Sequence, residues 1–137
     1  MHKVMALDVG TKRIGVALSD YLRISASGCC CVARIPEDIA VKTIKKIAEE
    51  NNVKLIVIGA PVNMDGTYGF QYEDCKTFAG NFNEYDIIFE DERLTSELAE
   101  ENLKRRKINF RKDKSLIDIE SACIILEQYL RKEPANE

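Results

Sequence analysis

The sequence is poor in the residues that soft-metal and imidazole chemistry need. Its 137 residues hold one histidine, His2, and five cysteines with no Cys-x-x-Cys pair. Cys29, Cys30 and Cys31 are consecutive, so in an extended segment they alternate between faces and cannot close a tetrahedral cage around one zinc. With Cys75 and Cys123 they read as reduced, apolar-like packing residues to which no chemistry is assigned. Long apolar runs are also missing: only Val4 to Leu7 precede Asp8, against about 20 residues for a membrane span. That stretch is too short for a signal-peptide core as well, so the expected location is cytoplasmic, with no membrane partner. No repeat, low-complexity segment or linker interrupts the chain, and 45% apolar content suits one core. The expectation is a single domain over residues 1–131 and a frayed tail over 132–137.

A basic surplus is absent too: the net charge is −3, which by itself does not suggest a nucleic-acid partner. The charge is uneven, however. Lys104 to Lys114 contains seven Lys or Arg and only Asp113 as an acid, a local +6, whereas the remainder, with 13 bases and 22 acids, is −9. Any attraction for phosphate is therefore local.

What is present has a clear order. KVMALD (Lys3 to Asp8), IGVALSD from Ile14 and a segment near Ile24 to Val32 read as three strands, with Gly10 in a hairpin turn. Pro36 suits a first helical position, and Ile39, Ala40, Thr43, Ile44, Ile47 and Ala48 recur at helical spacing up to Asn51 and Asn52. LIVIG (Leu55 to Gly59) is a buried strand, Gln71 to Phe82 a helix with Cys75, Phe78 and Ala79 inward, and YDIIFE a further strand. Thr95 and Ser96 can cap a helix over Glu97 to Lys104, and Ser115 opens the last helix. The order β-β-β-α-β-α-β-α-α predicts an α/β fold. Its mixed five-stranded sheet would join an antiparallel three-stranded meander to parallel strands, flanked by helices.

Three acidic positions stand at the ends of apolar elements. Asp8 ends the first strand, Asp91-Glu92-Arg93 follows the last, and Asp118 lies one turn into the final helix, sharing a face with Ala122 and Ile125. Each has a bland reading: a turn cap for Asp8, a solvated turn for Asp91 and Glu92, and a capping box from Ser115 to Asp118. Together, strand-end acids on neighbouring strands and one acid on a helix packed over them can converge on one pocket. Three carboxylates without a usable histidine suit hard cations, Mg²⁺ or Mn²⁺. Two such ions about 4 Å apart can activate a water and stabilise the leaving oxygen of an in-line displacement, which is phosphodiester hydrolysis.

ALDVGTKRIGVALSD (Ala6 to Asp20), IVIGAPVNMDGT (Ile56 to Thr67), DERLTS (Asp91 to Ser96) and IDIESACIILEQYL (Ile117 to Leu130) resemble the YqgF/RuvX family, in that family's order and over almost the whole chain. The resemblance implies a ribonuclease H-like fold, and a role in maturing the 5′ end of pre-16S ribosomal RNA or in resolving branched DNA at Holliday junctions. It places the family's acidic, metal-holding site on Asp8, on the acidic pair of DERLTS and on Asp118. Strand alternation admits only one of that pair, and the longer side chain favours Glu92, with Asp91 as the alternative acid. Ala60, where a leucine or phenylalanine is usual, and IESACI, where paired alanines are common, are departures that remove no proposed ligand.

Around the acids, Lys12, Arg13 and Arg93 can approach phosphate oxygens, while Asn63 and Thr67 offer neutral donors. Arg105, Arg106, Lys107 and Arg111, with Phe110 among them, suit an arm that holds a nucleic-acid backbone and stacks on an unpaired base. Two rival readings remain. The D-x-G-T hairpin resembles that of actin-like ATPases, which need two such domains where this chain has room for one. The other rival is a non-catalytic RNA-binding module of ribosome assembly. The oligomeric state, monomer or weak homodimer, stays open.

Overall fold

The structure, a computed structural model, describes residues 1–61, 69–92, 95–111 and 113–132; for Glu92, Thr95 and Ser96 it describes the backbone alone. In chain order the elements are β1 (Lys3–Val9), β2 (Arg13–Ser19), β3 (Ala26–Ala33), α1 (Glu37–Glu50) and β4 (Val53–Pro61). Then come α2 (Phe70–Ala79) with a 3-10 turn at Gly80–Phe82, β5 (Asp86–Glu92), α3 (Thr95–Arg105) and α4 (Ser115–Lys132). The five strands form one sheet in the order β3-β2-β1-β4-β5. β1, β2 and β3 are antiparallel neighbours, while β4 runs parallel to β1 and β5 parallel to β4. This is the mixed five-stranded sheet, an antiparallel meander joined to parallel strands, expected from the sequence.

Alternation along β1 sorts the core into two layers. Met5 and Leu7 pack with Ala40, Ile44 and Ala48 of α1 and with Phe78 and Phe82, whereas Val4 and Ala6 pack with Ala122, Ile125 and Leu126 of α4. Burying each large apolar side chain contributes about 1.5–3 kcal/mol, so both faces are strongly held. On the second face, α4 lies against backbone. A Cβ on Gly15 would stand 2.0 Å from the carbonyl oxygen of Asp118, and one on Gly28 would stand 2.5 Å from Cγ2 of Ile119. These glycines serve close approach rather than an unusual φ.

Several expected boundaries shift for local reasons. β3 begins at Ala26, because the Asp20 carboxylate accepts the N–H groups of Ile24 (2.7 Å) and Ser25 (3.2 Å) and keeps both in the preceding turn. Pro36 precedes α1 with extended backbone instead of occupying its first turn. The helix expected over Gln71 to Phe82 ends at Ala79 and tightens into the 3-10 turn. Thr95 and Ser96 lie inside α3, so they do not precede it as caps. The capping box from Ser115 to Asp118 is not formed either. Asp113 Oδ1 accepts both the Ser115 N–H (3.0 Å) and its hydroxyl (2.5 Å), which frees Asp118 for another partner. Lys132, assigned to the tail from sequence, closes α4, and residues 133–137 lie outside the described residues.

Candidate active site

Asp8 and Asp118 are both placed next to Gly15, on the same side of the sheet. Asp8 pairs with Gly15 in the β1–β2 register, and directly opposite residues share a face of the sheet. That face is the one α4 covers, since the missing Cβ of Gly15 would strike the Asp118 backbone. Val4 and Ala6, with the same parity as Asp8, pack against α4 as well. Asp118 is held in place from the two strands beneath it. Its Oδ2 accepts from Arg13 Nε at 2.6 Å and, more weakly, from the Cys31 thiol at 3.9 Å. Arg13 is two residues from Gly15 on β2, and Cys31 is the β3 partner of Gly15.

The electrostatics follow from these contacts. The hydrogen bond and charge of Asp118 hold Arg13 even more firmly in its protonated form. Burial, and then the negative charge of Asp118, pushes the Cys31 thiol up, so it stays a protonated donor. Arg13 is therefore a partner of the acidic site and not only a solvated surface group, although its side chain remains 42% exposed. Gly10, Thr11, Lys12, Arg13, Gln71 and Asp118 line a cleft of about 270 Å³ at this point, with Lys12 exposed at its edge.

The sheet register separates Asp91 from Glu92. Position 92 pairs with Pro61 and has the parity of Glu90, which pairs with Gly59 and whose carboxylate accepts from Lys132 of α4 at 2.5 Å. Asp91 has the parity of Ile87 and Phe89, which pack with the core on the α1 side. Only position 92 thus belongs to the row that α4 overlies, while the Glu92 side chain lies outside the described residues. Among the described residues no group of three His, Cys, Asp or Glu could hold a metal ion. The described candidates, Asp8 and Asp118, offer only oxygen, which suits a hard divalent cation, and Asp118 already presents its carboxylate to a cationic group in this cleft.

The hairpin carrying Lys12 and Arg13 is fixed from below by a residue the sequence did not single out. Arg34, 8% exposed, makes a forked pair with Asp74 of α2 (2.6 and 2.8 Å) and donates to the Gly10 carbonyl at 2.9 Å. Its own N–H donates to the Lys12 carbonyl at 3.0 Å, Glu37 stands 3.5 Å away, and its guanidinium lies over the Phe78 ring. The Arg34 hydrogen bonds hold the Asp74 carboxyl below its usual range. The one sequence signal was Asp74 sitting a turn before inward Phe78; nothing local pointed to Arg34. Gln71, which lines the cleft, had no signal.

The basic stretch divides. Arg105 donates to Asn102 (2.9 Å), and Arg106 pairs with Glu120 of α4 at 2.7 Å, two residues beyond Asp118. Lys107 and Arg111 are exposed. Asn63, Thr67 and Arg93 lie outside the described residues. The five cysteines include no ligand cluster among the described residues, and no described helix is long and apolar enough to cross a membrane.

Comparison with known proteins gives a consistent result. The family model described as "RuvX: Holliday junction resolvase" matches residues 2–132. A protein of Carboxydothermus hydrogenoformans named "Putative pre-16S rRNA nuclease" is 42% identical over 137 residues, covering 98% of this chain and 99% of that protein. One of the same name from Crocosphaera subtropica is 42% identical over 137 residues, covering 96% and 94%. Among solved structures, fowlpox virus resolvase with Holliday junction DNA aligns at a TM-score of 0.57 and 12% identity, covering 94% of this chain and 97% of that one. T. thermophilus RuvC with a Holliday junction substrate aligns at 0.56 and 12% identity, covering 98% of each. These two likenesses show the fold.

Proposed function

The chain belongs to the RuvX family of Holliday junction resolvases, and from that premise we propose that it is a divalent-metal-dependent endonuclease that trims the 5′ end of pre-16S ribosomal RNA. The observation that supports this reading is that Asp8 pairs with Gly15, the residue over which the Asp118 backbone lies, with position 92 in the row on the same face. The name shared by full-length relatives favours ribosomal RNA as substrate, and the family's description makes a four-way DNA junction the second reading.

Asp8, Glu92 and Asp118 would hold Mg²⁺ or Mn²⁺, two ions in the full site. Bound there, the metal supplies an activated water and neutralises charge on the phosphate. The chain's own residues do the rest. Among the described residues Arg13 spends only Nε on Asp118, which leaves its Nη donors for a phosphate oxygen. Lys12 adds a second positive charge at the cleft edge. Arg34 keeps both at a fixed height over the sheet by tying the hairpin to α2, so that a strand entering the cleft meets preset donors.

The test is cleavage of a labelled pre-16S 5′ leader and of a synthetic four-way junction in Mg²⁺, Mn²⁺ and EDTA. Cutting of the leader in either metal, absent in EDTA, is the expected result. Cutting of the junction alone transfers the chain to the second reading, and binding without cutting in any metal makes it a non-catalytic RNA-binding module.

A further inference from the structure

The turn that ends α3 forms a second cleft, which shares no lining residue with that of Asp118. We propose that it holds one unpaired nucleotide of a bound strand, with its base against Phe110 and Ile108 and its phosphates on Lys104, Lys107 and Arg111. The backbone builds this cleft. The Ile108 N–H donates to the Leu103 carbonyl and the Lys107 N–H to the Lys104 carbonyl, both at 2.9 Å, while Lys107 adopts φ 59°. This is a Schellman ending, which reverses the chain and folds residues 108–111 back beside Lys104. The cleft is shallow and open to solvent, with a volume of about 340 Å³, within the roughly 300–1,000 Å³ of ligand clefts.

Three observations indicate its occupant. Among the described residues the lining is three cations, Ile108, Asn109 and Phe110, with no carboxylate. Ile108 is 37% exposed and Phe110 half-buried, so apolar surface stands open between the charges. Among the described residues Lys104, Lys107 and Arg111 have no acidic partner, whereas the intervening Arg105 and Arg106 turn to Asn102 and Glu120. Cations beside an aromatic face fit a nucleotide, which offers a stacking plane and a phosphate together. Asn109 adds an amide donor, since its Oδ1 already accepts the Arg111 N–H at 3.1 Å. Lys107 holds the left-handed position, where glycine is favoured and a lysine costs stability.

The proposal rests on the nucleic-acid reading above, and its test is separable from it. Lys107→Gly and Phe110→Ala are compared with the wild-type chain by fluorescence anisotropy in EDTA, with one sequence as single-stranded RNA, single-stranded DNA and duplex. Lys107→Gly is expected to raise Tm by about 3 °C yet weaken single-strand binding about fivefold, and to reduce the salt slope of log K by about 0.7. A merely structural lysine cannot give those opposite signs. Phe110→Ala is expected to lose about tenfold on single strands and little on duplex, and the RNA and DNA arms show which sugar the cleft accepts. Wild-type affinity for single strands in both variants overturns the proposal, as does equal loss on duplex, or competition by an oligoglutamate as effective as RNA. A wild-type chain that binds but never cuts removes the nuclease reading alone; one that cuts, with both variants binding normally, removes the cleft alone.

Discussion

Replacing Gly15 by alanine inserts one methyl group where the packing of α4 on the sheet leaves no room. The new Cβ would stand 2.0 Å from the Asp118 carbonyl oxygen, 2.4 Å from its carbon and 3.1 Å from the Ile119 nitrogen. All three are backbone atoms, so no rotamer change relieves the clash. Ordinary contact begins at 3.4 Å, so the start of α4 must lift from the sheet by more than 1 Å. Lifting it loosens Ala122, Ile125 and Leu126, which are fully buried. Overpacking of this kind costs about 3 kcal/mol, lowering Tm by about 10 °C in a chain of this size. Displacing Asp118 by about 1 Å should also reduce cleavage about 100-fold. The control is Gly80→Ala, where a Cβ meets nothing within 4 Å and φ is −60°. It should gain about 0.5 kcal/mol from reduced freedom of the unfolded chain. Calorimetric melts of both variants decide the matter: Gly15→Ala melting within about 2 °C of wild type would refute the close approach of α4 to the sheet at Gly15.

Other outcomes follow from single contacts. Asp74→Asn should cost about 2 kcal/mol at neutral pH, because it weakens the forked pair of a buried guanidinium. Arg34 depresses the folded-state pKa of Asp74 below the ordinary 3.8, so the pair's contribution is present above about pH 4 and is lost as pH falls through the lowered value. Tm should therefore fall more steeply below about pH 4 in wild type than in Asp74→Asn, and parallel melting curves would contradict the clamp. Arg13→Gln should leave stability within about 1 kcal/mol, since the pair is partly exposed, while slowing cleavage at least about tenfold. Unchanged cleavage would remove Arg13 from the site. Iodoacetamide at neutral pH should label exposed Cys29 first and spare Cys30 and Cys123, whose thiols burial pushes up to about 12. Mass spectrometry showing Cys30 labelled first would contradict the β3 register.

The strands and the last helix were legible because the apolar run of β1 and the apolar positions of α4 are local patterns. The placement of Asp8 and Asp118 beside Gly15 was legible only as a possibility of the fold, because it depends on Gly15, which reads in sequence as a weak strand residue. Its function is visible only once a helix 105 residues from Arg13 lies on it. Choosing between Asp91 and Glu92 had the same difficulty: alternation says that they face apart, while the pairing with Pro61 and the face covered by α4 say which way. The +6 charge of the basic stretch was plain, but its division was not. Glu120, 14 residues after Arg106, pairs with that arginine, and the backbone reversal at Lys107 gathers Lys104, Lys107 and Arg111. Arg34 and Asp74 were missed because their pairing spans 40 residues and neither stands at the end of a recognisable motif.

The most direct test of the central claim compares cleavage of the labelled pre-16S leader by the wild-type chain, Asp8→Asn, Glu92→Gln and Asp91→Asn, with melting curves to confirm that each is folded. Abolished cutting in Asp8→Asn and Glu92→Gln, with Asp91→Asn still active, is the predicted result. A folded Asp8→Asn that cuts as fast as wild type, or an inactive Asp91→Asn beside an active Glu92→Gln, would contradict it.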